Sequence, residues 1–199
     1  MEGLPLRWLL GVVVAAAALV LIYLGSAASS LATLAASVRA GDGTAILEKT
    51  DRTRLSHSLT DQIVRAYLER IGATRRIKPM EKLLINTYGA SIADAMVAKM
   101  LSADKLAQML KSGSLDAPGV PSFTGLPALA DLETGNLASL LGRLNFINPV
   151  VIGIRVSNNS DPENYAAIDL HCEGLAWKLA GIELPKPIVR QLAASLPDK

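Results

Sequence analysis

The sequence predicts an α+β protein in which an N-terminal transmembrane helix precedes several helices packed on a short antiparallel sheet. Three observations carry that expectation. No charged side chain occurs from Trp8 to Val38, and Leu9 to Leu24 is almost purely apolar. Between Leu55 and Met100 apolar residues recur at helical spacing. From Val150 onward they alternate with a period of two, as on a half-buried strand.

A helix over Leu6–Leu24 is roughly 28 Å long, close to the hydrocarbon thickness of a bilayer, so a lipid bilayer is the first expected partner. The run is longer than the roughly 7–15 apolar residues of a secretory signal. Ser26-Ala27-Ala28 nevertheless offers a small-residue cleavage site, which keeps a signal peptide as the alternative for residues 1–25. Against cleavage, no helix breaker follows Gly25, and Leu31, Leu34 and Val38 continue the helical spacing. Arg7 precedes the span and the next cation is Arg39, an asymmetry that favours a cytoplasmic N-terminus and an exported C-terminal part. Residues 26–199 then form one exported α+β domain, long enough for a single core.

Within that domain, Ser26–Ala40 reads as an amphipathic helix closed by Gly41, and a short helical turn follows around Ile46 and Leu47. Leu55, Leu59, Ile63, Tyr67 and Ile71 recur every four residues, widened by Val64 and Leu68, which predicts a core-facing helix ended by Gly72. Pro79 suits the first turn of the next helix. Its stripe runs through Met80, Leu83, Leu84, Tyr88, Ile92, Met96 and Met100 and is expected to pack in the core. Ser102 can cap a further short helix holding Leu106, Met109 and Leu110.

Residues 111–136 are rich in Gly, Pro and Ser and read as a loop, with a weak helix after it at 137–144. The strand at Val150–Val156 precedes a turn at Asn158–Pro162. Two more strands, near Asn164–Cys172 and Leu175–Ile182, form a hairpin around Glu173-Gly174. A two-residue turn there sets Cys172 opposite Leu175, Leu170 opposite Trp177, Ile168 opposite Leu179, and the charges Asp169 and Lys178 opposite each other. Pro185 and Pro187 end the sheet, and a closing helix is expected over Ile188–Leu196.

The net charge is +2, and Arg75-Arg76-Ile77-Lys78 is the one basic cluster. Aromatic residues are few and do not interleave with it, so no nucleic-acid partner is expected. Cys172 is the sole cysteine, which excludes an intrachain disulfide. His171 and Cys172 are adjacent on a strand and point to opposite faces, so they cannot cooperate. Asp51 with His57 could form an acid/base pair, but no nucleophile or oxyanion donor goes with it, and Asp51 suits a helix N-cap better. No residue is assigned to catalysis, cofactor binding or metal ligation, and no cofactor is expected.

The N-terminal apolar run, the Ala40-Gly41-Asp42 step and the Gly174-Leu175-Ala176-Trp177-Lys178-Leu179 run together resemble the DUF2939 family, a group of bacterial membrane-anchored proteins of unknown function. The resemblance rests on the N-terminal anchor, the Ala40-Gly41-Asp42 step, and the run Asp51, Leu55, Ser58, Leu59 and Gln62. It extends to Leu101–Leu110 and to Gly174-Leu175-Ala176-Trp177-Lys178-Leu179 with Ile182, Leu184 and Pro185. Ser56 stands where the family usually has arginine, Thr50 where it has valine, and the family's aromatic residues are missing around Ser26–Ser30. The resemblance implies an exported domain and carries over no catalytic residue. Helices before a short sheet are also similar to NTF2-like or cystatin-like cones, an analogy of fold alone.

The function expected from these readings is that of a membrane-anchored envelope protein, single-pass in the inner membrane with a periplasmic domain. That domain is expected to be a non-enzymatic module for a protein partner or an apolar ligand. Two alternatives are a small hydrolase or isomerase using Asp51, His57 or Tyr67 inside a cone, and a structural organiser of a membrane complex.

Overall fold

The computed structural model describes residues 6–76, 78–132, 139–140, 142–157, 161–174 and 176–197. It is a mixed helix-and-sheet protein, as expected. The first helix, α1 (Leu6–Ala40), is unbroken from the apolar run into the domain. Its two parts differ in what surrounds them. Val12, Val13, Leu19, Leu21 and Ile22 are exposed, whereas Ala27, Leu31, Leu34, Ala35 and Val38 are buried along one face. The helix ends as the sequence predicts, with the amides of Gly41 and Asp42 bonded back to Val38 and Ser37.

Helices α2 (Gly43–Glu48) and α3 (Arg52–Thr74) follow, and each is N-capped by an aspartate: Asp42 accepts from the Ala45 amide, Asp51 from the Arg54 amide, both at 3.0 Å. The predicted stripe of α3 is the centre of the core, with Leu55, Leu59 and Ile63 fully buried. The helix passes the expected stop at Gly72 and ends at Thr74.

The methionine stripe is corrected. Met80, Leu83, Leu84, Tyr88 and Ile92 are exposed, and only Ala93, Met96, Val97 and Met100 are buried. The reason is a π-helical segment, Ile85–Gly89, between α4 (Pro79–Leu84) and α5 (Ala90–Met100). Its wider turn breaks the phase of the stripe, so the face that reaches the core on α5 is not continued on α4.

Helix α6 (Ala103–Ser112) is the expected short helix. The stretch read as a loop at 111–136 is not featureless. It holds the end of α6, a small hairpin of β1 (Leu115–Ala117) and β2 (Val120–Phe123), and a 3-10 turn at Leu129–Asp131. Leu115, Val120, Phe123 and Leu129 enter the core, and the Arg39 guanidinium on α1 donates to the carbonyls of Ala130 and Leu132. Tertiary contacts give this segment its order.

A four-stranded antiparallel sheet follows in the order β3 (Leu144–Asn148), β4 (Val151–Arg155), β5 (Ala167–Glu173), β6 (Ala176–Glu183). Strand β3 replaces the end of the helix expected at 137–144. Ser139 and Leu140 are helical, while 133–138 and 141 lie outside the described residues, as do Ile77, 158–160 and Leu175. The last helix, α7 (Lys186–Ala194), packs on α3.

The β5–β6 register also differs from the expected one. Cys172 faces Trp177, Leu170 faces Leu179 and His171 faces Lys178, a shift of two positions. The turn therefore begins one residue later, at Gly174, whose φ of +67° supplies the left-handed backbone that tight hairpins need. Because the shift is even, the side chains from Ala176 to Leu179 keep their predicted faces. A bulge at Ala180 then sets Gly181, not Lys178, opposite Asp169. Lys178 instead pairs with Glu173 at 2.6 Å.

Strand β6 has no strand beyond it, yet its outer edge is covered. The Leu179 amide donates to the Lys49 carbonyl and the Asp51 amide to the Leu179 carbonyl, both at 2.8 Å. Further along, the Gln62 side-chain amide donates to the Ile182 carbonyl (2.8 Å) and accepts from the Leu184 amide (3.0 Å), as a neighbouring strand would. Near the other end the Trp177 amide reaches Ser30 Oγ at 3.4 Å.

Replacing Gln62 by leucine keeps the bulk and removes both bonds. A urea titration of the purified full chain should show a loss of about 2 kcal/mol, the cost of stranding two half-buried backbone groups. A loss under about 0.5 kcal/mol would mean that water covers this edge equally well.

Candidate functional site

The most distinctive constellation lies where α1 passes from exposed rod to buried helix. Tyr23 and Trp177, far apart in sequence, meet edge-to-face with ring centroids 5.1 Å apart and planes at 77°. Trp177 Nε1 donates to Ser26 Oγ at 2.9 Å, and the Tyr23 hydroxyl donates to the Pro149 carbonyl at 2.8 Å. One turn of α1 thus holds both β6 and the β3–β4 turn.

Beside this junction an apolar recess of about 170 Å³ lies between α1 and the sheet, lined by Leu21, Leu24, Ala28, Leu31, Leu144 and Ile154 among others. A second, wider groove of about 430 Å³ runs between α3, the π segment and the residues after α7. Tyr67, Ile71, Leu84, Tyr88, Ile92 and Leu196 line it. With exposed Met80 and Leu83 it forms the apolar face that the π segment turns away from the core.

The open face of the sheet carries an unusual carboxylate. Asp169 is flanked by Gly153 on β4 and Gly181 on β6. A methyl group on Gly181 would stand 2.7 Å from Asp169 Oδ2, so the side chain lies over the glycines where a larger residue would collide with it. Burial raises the Asp169 pKa above the ordinary aspartate value. Glu183 is also raised, by burial first and then by Asp169, with Arg65 opposing. Tyr165 is raised by burial and by Glu183, against the pull of Arg155. This face holds a proton more readily than free carboxylates do.

The residues singled out in the sequence do not converge. Asp51 is engaged as the α3 cap and with Arg54 Nε at 3.1 Å. His57 is exposed and lies 3.4 Å from Asp61, so the Asp51–His57 pair does not form. Tyr67 is buried and donates to the Pro197 carbonyl at 2.6 Å. Cys172 is partly buried against the core, with Sγ 3.6 Å from the Gly174 carbonyl. Among the described residues no group of three His, Cys, Asp or Glu side chains is placed to hold a metal. Gln62, Tyr23 and the Asp169 row were not found by sequence reasoning as functional contacts; the Gly-Asp-Gly row becomes visible only once the register is known.

Asp169→Asn tests the carboxylate. A folded-state pKa above the unfolded value means that the ionised form costs stability above the folded pKa, a cost that vanishes below the unfolded pKa. The variant should therefore melt on the order of 1–3 °C higher at pH 7, with the difference closing toward pH 4. An equal difference at both pH values would contradict the raised pKa.

Residues 15–109 match the family model described as "Protein of unknown function (DUF2939)". The match runs from within α1 to near the end of α6, and the sheet with its Trp177 motif lies outside it. No curated protein and no solved structure matches the chain.

Proposed function

We propose that this chain, which carries the DUF2939 match in its N-terminal part, is a single-pass membrane protein whose residues 26–199 form one exported binding domain. One observation carries the reading. The apolar helix is long enough to span a bilayer, and only 6% of its most apolar window is buried, so that window is not packed into the core that the later turns of α1 enter. Trp8 and Tyr23 stand about 22 Å apart along it at 1.5 Å per residue, a spacing that suits the two interfaces of a thin bilayer. Arg7, before the span, favours a cytoplasmic N-terminus and a domain on the periplasmic side of the inner membrane.

The domain acts by binding rather than by turnover. Its interior is filled by the side chains of one continuous apolar core. The apolar face of α4, the π segment and α5 offers a partner protein five large exposed side chains, Met80, Leu83, Leu84, Tyr88 and Ile92.

Two measurements test this. Alkaline carbonate washing of membranes should leave the full chain in the pellet, and its release into the supernatant would overturn the anchor. A photoreactive side chain at position 88 should crosslink to a protein in native membranes more strongly than one at exposed position 69. Equal labelling at the two positions would overturn the docking face.

A further inference from the structure

The β3–β4 turn projects apolar side chains where a domain tethered by α1 would meet lipid. Phe146 is 64% exposed, Ile147 51% and Val150 47%, values that few other large apolar side chains of the sheet approach. The two faces of the turn are both apolar. Phe146 pairs with Ile152 and shares the core-directed face of the sheet, whereas Ile147 reaches over Gly153 on the open face.

The level of this turn along α1 is set by the hydrogen bond from the Tyr23 hydroxyl to the Pro149 carbonyl. Tyr23 stands at the outer end of the exposed apolar run, one residue beyond Ile22. The apolar recess between α1 and the sheet has Leu21 and Leu24 at this same level. The neighbouring β5–β6 turn carries its charges as the Glu173–Lys178 pair, which lowers the cost of bringing this end of the sheet to an interface.

We propose that the β3–β4 turn is a second membrane contact: Phe146, Ile147 and Val150 insert shallowly into the outer part of the bilayer beside α1 and set the domain upright on it. The occupant of this face is lipid. The inference rests on the anchor reading above. Insertion is shallow because the polar Asn148 side chain, whose Oδ1 accepts from the Val150 amide, and the peptide groups along the outer side of β3 lose the water they have at the interface if they enter the hydrocarbon centre. With both Tyr23 and the turn fixed in the interface, the face with Tyr88 is held at a constant orientation to the membrane rather than swinging on a tether.

The test uses the full chain in phosphatidylcholine vesicles, in a Cys172→Ser background, with one environment-sensitive fluorophore at a time. The positions are Ile147→Cys in the turn, Val14→Cys in the helix and Glu69→Cys on the exposed surface of α3. Quenching by spin-labelled lipid should be several-fold stronger at 147 than at 69, and strong at 14. Ile147 is half exposed, so its replacement leaves the core untouched. Strong quenching at 14 with none at 147 above the level at 69 would overturn the turn and leave the anchor standing. Absence of quenching at 14 would overturn the anchor and this proposal together.

Discussion

The open edge of β6 is the constraint around which the chain is organised. An edge strand presents a row of unpaired amides and carbonyls, and an uncovered one invites pairing with another chain. Here the cover is made from pieces of three neighbouring elements. Ser30 on α1 serves Trp177, the Lys49–Asp51 link serves Leu179, and Gln62 on α3 serves Ile182 and Leu184. All three pieces lie within the residues matched to DUF2939, and the strand that they cover lies outside them. Asp51 therefore has two structural duties: its backbone amide bonds β6 and its carboxylate caps α3, and the cap is the one that calls for an aspartate.

That cover fixes α1 on the sheet, and α1 is one continuous rod. Its two environments follow from composition. From Ala27 onward, small and branched residues let one face approach β6 closely; from Leu10 to Ile22 the surface is apolar and exposed. The collar of Tyr23, Ser26 and Trp177 marks the change. Tyrosine and tryptophan suit it because each offers an apolar ring with a polar tip, and both tips are hydrogen-bonded here. Orientation of the domain relative to the rod is thereby set by packing and not by a linker.

Much of the fold was legible where periodicity is long. The stripe of α3 could be read because five residues repeat the same interval, and the faces of β5 and β6 because three apolar residues alternate on each and face one another across a turn. Strands β1 and β2 have three and four residues, too few to show a period, and β3 holds two asparagines next to Pro149. These short elements are held by tertiary contacts such as Gln191 on the Ser122 carbonyl of β2 and Tyr23 on the Pro149 carbonyl just after β3. The π segment hid itself differently, since an added residue in a turn leaves no mark in composition, and it puts Met80 through Tyr88 out of phase with the face that Met96 and Met100 bury. Pairing Asp169 with Lys178 by charge misjudged the register for a steric reason: Asp169 needs glycines beside it, and the Ala180 bulge supplies Gly181. Of the candidate sites, only the long apolar helix was visible beforehand; the aromatic collar and the exposed turn depend on contacts between residues more than a hundred positions apart.

Amide hydrogen exchange at Leu179 and Leu184, measured by NMR on the intact protein in micelles, addresses the edge directly. If Lys49 and Gln62 cover β6 as described, both amides exchange as slowly as that of Leu170 in the middle of the sheet. Exchange of the Leu179 and Leu184 amides at the rate of solvent-exposed backbone, with Leu170 still protected, would show that the edge is open and that the first three helices are not held together by it.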